Sequence, residues 1–213
     1  MKKEEIEEIL QDKYGMTADR KKRYHPNILS AFIEICFNDI LYNLCKIAIS
    51  FGDLAQLDMY IKSYPNVNVL CNDKRDEYYS ILPAPIIQLP KNRGIRSISA
   101  IKDRKTNFYP RENGDSEIME NLEFAEINTV PTFYIENYHV FYDKRMTKDL
   151  AEEGVLMKLI IPYREWKDED VLPLPSGEDL NLITAVENLI NQKEKEDQKP
   201  NSKPDDNENG QKQ

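Results

Sequence analysis

Side chains able to do chemistry are few and scattered in this 213-residue chain. Histidine occurs twice, at His25 and His139, and neither belongs to a ligand-spaced pattern of Cys, His or carboxylate, so no metal site is expected. Asp168-Glu169-Asp170 offers the hard oxygen donors that magnesium takes. Three consecutive acids in a connector are more ordinary as a solvated loop. Lys91, Arg93 and Arg96 bracket Gly94 and could grip a phosphate; a surface turn is the plainer role. Tyr134, Tyr138 and Tyr142, with Phe133 and Phe141, could stack nucleic-acid bases. Acidic charge and the lack of a basic frame favour core or interface packing instead. There is no Cys-x-x-Cys, nucleophile elbow or phosphate-loop glycine pattern, and the chain has seven glycines in all. The expectation is a protein with no catalytic residue, no cofactor and no metal.

Composition narrows the classes further. The net charge is -9 and the pI about 4.9, against a protein held on nucleic acid by phosphate contacts. Three cysteines, Cys36, Cys45 and Cys71, make an odd number, two of them inside an apolar helical run, so a disulfide framework is not expected. The first ten residues are charged throughout and do not resemble a secretory signal. The richest apolar window, Ile28 to Phe51, is interrupted by Glu34, Asn38, Asp39, Asn43 and Lys46. No membrane span is expected there.

The elements that would position these residues follow from periodicity. Ile6, Ile9 and Leu10 predict a short amphipathic helix ending near Tyr14-Gly15. The basic run Arg20–Arg23 follows as a linker. Pro26 opens a second helix that runs to about Ser50, where Gly52 stops it. Its apolar residues exceed one stripe: Ile35, Phe37, Leu41 and Tyr42 widen the face that carries Phe32. Asp53 predicts the cap of a third helix over Leu54–Tyr60. Asn66–Cys71 and Glu77–Leu82 predict a hairpin, and Pro83, Pro85 and Pro90 an extended edge segment. Gly94 predicts a positive-φ turn before a strand over Ile95–Ile101. Pro131–Glu136 and His139–Tyr142 form the clearest hairpin, and Val155–Ile161 a strand too apolar for two exposed faces. A connector with Trp166 leads to a helix capped by Ser176, with Leu182, Ile183, Val186, Leu189 and Ile190 on its apolar face. The composition after Lys193 predicts a disordered tail.

The expected fold is therefore α+β, with an N-terminal helical segment (1–65) and a central antiparallel β-sandwich or barrel-like domain (66–162). A connector and single C-terminal helix (163–192) and a disordered charged tail (193–213) complete it. The over-wide helix and the apolar last helix predict a subunit interface that includes Phe32, Ile35, Phe37, Leu41, Tyr42, Trp166, Ile183, Val186 and Ile190.

Leu89-Pro-Lys-Asn-Arg-Gly-Ile-Arg-Ser-Ile-Ser99 continues into Thr106–Pro110, Thr129–Ile135, Leu156–Pro162 and the Leu172–Pro175 connector. This order, over roughly residues 14–192, resembles virion structural proteins of crAss-like and related short-tailed phages, the rings of the portal–tail assembly. Tyr24-His-Pro-Asn-Ile-Leu29 onward is similar to the helical part of phage head–tail adaptors. The resemblance implies a non-enzymatic neck or tail ring subunit, made in the host cytoplasm and resident in the virion. It implies a closed ring of about twelve copies built from one repeated interface. The implied partners are the portal protein and a neighbouring ring or tail protein. Double-stranded DNA would pass without tight binding, past an acidic loop with Glu112, Asp115, Glu117 and Glu120. A single-strand or RNA-binding accessory protein using the tyrosine-rich hairpin is the alternative from another class. A transient assembly chaperone is a third.

Overall fold

The computed structural model describes residues 1–15, 24–72, 77–110, 130–143 and 145–197. Helix α1 spans Lys3–Tyr14 and α2 spans Pro26–Ser50. Proline at the first turn lacks only an N–H that the helix leaves unpaired anyway. The His25 ring accepts the Asn27 N–H at 3.3 Å as the cap. Gly52, at φ 73, turns the chain out of α2. Leu54–Tyr60 follows as a 3-10 helix, and the Asp53 side chain does not cap it as expected.

Among the described residues eight strands follow: β1 Lys62–Val67, β2 Leu70–Asn72, β3 Glu77–Ile81, β4 Ile95–Ala100, β5 Tyr109–Pro110, β6 Thr132–Glu136, β7 His139–Tyr142 and β8 Val155–Leu159. A one-turn helix, α3 (Lys148–Ala151), precedes β8, and α4 (Glu178–Asp197) ends the described chain. The strands make two sheets, ordered β1-β8-β4 and β2-β3-β7-β6-β5. All pairs are antiparallel except the two-residue contact of β5 with β6. The fold is α+β as expected, and neither sheet closes into a barrel.

β8 sits between β1 and β4, so its apolar composition has a cause. Val155, Met157 and Leu159 are wholly buried, and Ile160 and Ile161 continue that burial past the strand end. A helical layer built from the N-terminal helices and the last helix shares the core with this sheet. α2 packs against α1, α4 and the 3-10 turn Tyr163–Glu165. Ile6 and Leu10 of α1, Phe37 and Leu41 of α2, and Leu182, Val186 and Ile190 of α4 share one continuous core with both sheets. The N-terminus is tied to the connector by backbone bonds: Lys3 N–H to the Asp170 carbonyl and Glu4 N–H to the Asp168 carbonyl, each 3.1 Å.

Three local expectations differ. Asn66 adopts φ 65, and the register of β1 on β8 breaks between Tyr64 and Val67. The expected strand Asn66–Cys71 is therefore split: its first part joins β8, and Leu70–Asn72 crosses to pair with β3. Gly94 does not take positive φ; Asn92 does, at φ 54. Gly94 is needed for close approach instead, because any Cβ there would collide with the Ile87 carbonyl oxygen. Finally, α4 starts at Glu178, after Gly177 at φ 94, and continues through Asp197. The expected tail thus begins five residues too early, and residues 198–213 lie outside the described ones.

Candidate functional site

Several of the chemically equipped side chains among the described residues are bonded to one another in structural roles. Lys62 Nζ donates to Asp170 Oδ2 at 2.8 Å and to the Glu165 carbonyl at 3.1 Å, and stands 5.0 Å from the centre of the Trp166 ring. Lys3 Nζ donates to the Trp166 carbonyl at 2.9 Å, pairs with Asp168 at 3.2 Å and lies 5.0 Å over the Tyr163 ring. Two of the three connector acids are therefore clamps that fasten α1 and β1 to the connector. The Lys62 hydrogen bond holds the Asp170 carboxyl below its ordinary range. Tyr163 donates to Glu7 at 2.9 Å; burial first, then the Glu7 charge, push its phenol well up. Arg96, one of the cations around Gly94, is engaged by Asp58 at 2.6 Å. Burial pushes the Cys45 thiol up to about 12, which leaves it inert. Among the described residues, no group of three or more His, Cys, Asp or Glu could hold a metal ion.

What the surface offers instead is apolar. The expected interface set separates sharply. Phe32, Phe37, Leu41, Trp166, Val186 and Ile190 are buried in the chain's own core. That corrects the expectation for these six: they hold the fold together and are not free for a partner. Tyr42 and Ile183 are half-buried. Ile35 is 58% exposed and sits on the face of α2 that no described element covers. Ile28, Ile47, Phe51 at 83% exposure and Met59 at 60% are exposed as well, and none of the four was expected at the interface. The signal was present as an excess, since α2 carries more apolar positions than one stripe can bury. By length and composition alone α2 could cross a membrane, with mean hydropathy 1.4 in its most apolar window. In this fold one face of it is packed, and Asn38 accepts the Tyr163 N–H at 3.0 Å.

The tyrosine-rich hairpin also divides by face. Phe133 and Tyr142 point into the core, where Tyr142 donates to Ser80 at 3.0 Å. Tyr134, Phe141 and Tyr79 form a row across β6, β7 and β3 on the opposite face. Tyr134 and Phe141 stack at 5.1 Å and 17°, and Tyr79 lies 6.0 Å from Phe141. Leu70 on β2 extends the row, and Glu77 and Glu136 lie on the same strands. The loop with Glu112, Asp115, Glu117 and Glu120, and the basic run Arg20–Arg23, lie outside the described residues.

No protein-family model matches the chain, and no curated protein does.

Proposed function

We propose that the chain is a non-enzymatic structural subunit that assembles with copies of itself, in a ring at the neck or tail of a phage particle. The observation that carries the assembly part is the set of large apolar side chains left exposed on α2 and just after it, Ile28, Ile35, Ile47, Phe51 and Met59. Where such side chains lie together they mark an interaction surface. The commitment of Lys3, Lys62, Asp168 and Asp170 to internal contacts supports a scaffold. The ring, the portal and the virion rest on the resemblance of the Leu89–Ser99 block and its successors. A reconstruction of the particle neck tests the whole reading. The expected result is this chain in a symmetric ring of about twelve copies. A single copy, or no ring, overturns it.

The aromatic row favours a second reading, a single-strand nucleic-acid binder. Tyr79, Phe141 and Tyr134 stand on one sheet face, as in base-stacking platforms. Flanking Glu77 and Glu136 and the net charge of -9 weigh against it. Salt-dependent binding of a labelled oligonucleotide decides. Submicromolar affinity near physiological salt that falls steeply with added salt would promote it over the ring.

A further inference from the structure

We propose that the cleft between the extended Pro83–Pro90 segment and the β6–β7 turn binds an extended, uncharged peptide. The cleft encloses about 490 Å³, within the roughly 300–1,000 Å³ usual for ligand sites. Leu82, Leu89 and Ile135 line it with apolar surface, while Gln88, Asn92, Asn137 and Tyr138 line it with polar groups. Among the described side chains no charged one lines it. The described lining offers a charged ligand no counter-charge, which favours a neutral occupant. Each carboxamide offers both donors and an acceptor, the complement of a peptide group. Among the described residues the carboxamides of Gln88, Asn92 and Asn137 have no hydrogen bond of their own.

Tyr138 is the second observation. Asn137 and Tyr138 form the two-residue turn of the hairpin at φ 48 and φ 64. The second position of such a turn favours glycine, and a bulky residue there is strained. The Tyr138 side chain is 66% exposed, so packing within the chain does not offset that strain. An aromatic ring kept at a strained position beside a cleft is placed for something that enters it.

The backbone supplies the third. In the Pro83–Pro90 segment the Ile87 N–H donates to the Ile160 carbonyl at 2.9 Å, and the Leu82 N–H to the Tyr138 carbonyl at 3.0 Å. Backbone groups alternate in direction along an extended chain. The N–H groups of Ile86 and Gln88 therefore face away from Ile160, with no backbone partner among the described residues. An extended segment with one edge unpaired is what a peptide strand adds to. A saccharide would use the ring and the amides but leave that edge unpaired, so the geometry favours a peptide. Pro85 and Pro90 limit the addition to a few residues. The inference stands whether or not the chain forms a ring.

The test uses the full-length chain and a library of octapeptides, acetylated and amidated at their ends and free of Asp, Glu, Lys and Arg, with charged octapeptides and neutral oligosaccharides as comparison probes. The expected result is binding of a subset with Kd below about 1 mM. Tyr138→Gly relieves the turn, so it should melt a few degrees higher and bind about tenfold more weakly or worse. Gln88→Leu should weaken binding while leaving the melting midpoint unchanged. Four outcomes overturn the proposal: no neutral peptide bound at about 1 mM, binding of charged peptides only, binding of neutral oligosaccharides in place of peptides, or undiminished binding by Tyr138→Gly.

Discussion

At residue 94 a single hydrogen separates a tight contact from a clash. The Gly94 carbonyl accepts the Ile160 N–H at 2.9 Å, and the Ile160 carbonyl accepts the Ile87 N–H at the same distance. A Cβ on residue 94 meets the Ile87 carbonyl oxygen, so Gly94→Ala must displace this bonded chain. The expected cost is about 1–3 kcal/mol, read from urea denaturation, with no change in slope. Asp170 gives a pH dependence. Lys62 lowers its folded pKa below the ordinary 3.8. The carboxylate therefore contributes stability above that ordinary value, and the contribution is lost as pH falls through the folded value. Melting midpoints measured between about pH 6 and pH 2 should fall at the acid end, and Asp170→Asn should flatten part of that fall. An unchanged profile in the variant would show that the Lys62 clamp contributes nothing to acid sensitivity.

At the scale of the element, α2 and its C-terminal end carry apolar side chains with two different duties. Phe37 is wholly buried, 5.4 Å from the Tyr163 ring centre, and joins the helical layer to the connector. Phe37→Ala should destabilise by about 3–5 kcal/mol. Ile35 and Phe51 are exposed in the single chain. Ile35→Lys with Phe51→Ser should leave the melting midpoint of the isolated protein unchanged and prevent incorporation into particles. A large drop in melting temperature would place these side chains in the fold; normal incorporation would place the interface elsewhere.

At the scale of the molecule, both ends of the chain close on one core. α1 packs against α2 and α4, Lys13 pairs with Glu187 at 2.6 Å, and Lys193 stands 5.3 Å over the Phe32 ring. The last apolar anchor of α4 is Ile190, and the described helix goes on to Asp197. Truncation after Asp197 should leave the thermal midpoint within error. Truncation after Gln192 removes the Lys193–Phe32 contact, worth about 0.5–1 kcal/mol at an exposed site, and the last helical turn. It should lower the midpoint by a few degrees. Equal midpoints for the two truncations would assign no stability to residues 193–197.

Local chemistry was enough to place several elements from sequence. Proline at 26 and glycine at 52 bound α2, because one tolerates a helix start and the other leaves a helix without strain. The alternation around Asn137-Tyr138 placed the β6–β7 hairpin, and the apolar run at 155–161 announced a strand with at least one face covered. These signals depend on neighbours in the chain. The tertiary structure decided which strand joined which sheet, since Asn66 and the irregular register beside it sent β1 to β8 and β2 to β3. It decided that Gly94 serves close approach and not a positive φ. It also decided which apolar residues of α2 were spent on the core. Composition reported an excess of apolar side chains, but only the packing of α1, α4 and Tyr163 around the helix selected Phe37 and Leu41 for burial and left Ile35 and Phe51 to water. Burial is a property of what lies opposite, and what lies opposite α2 comes from both ends of the chain.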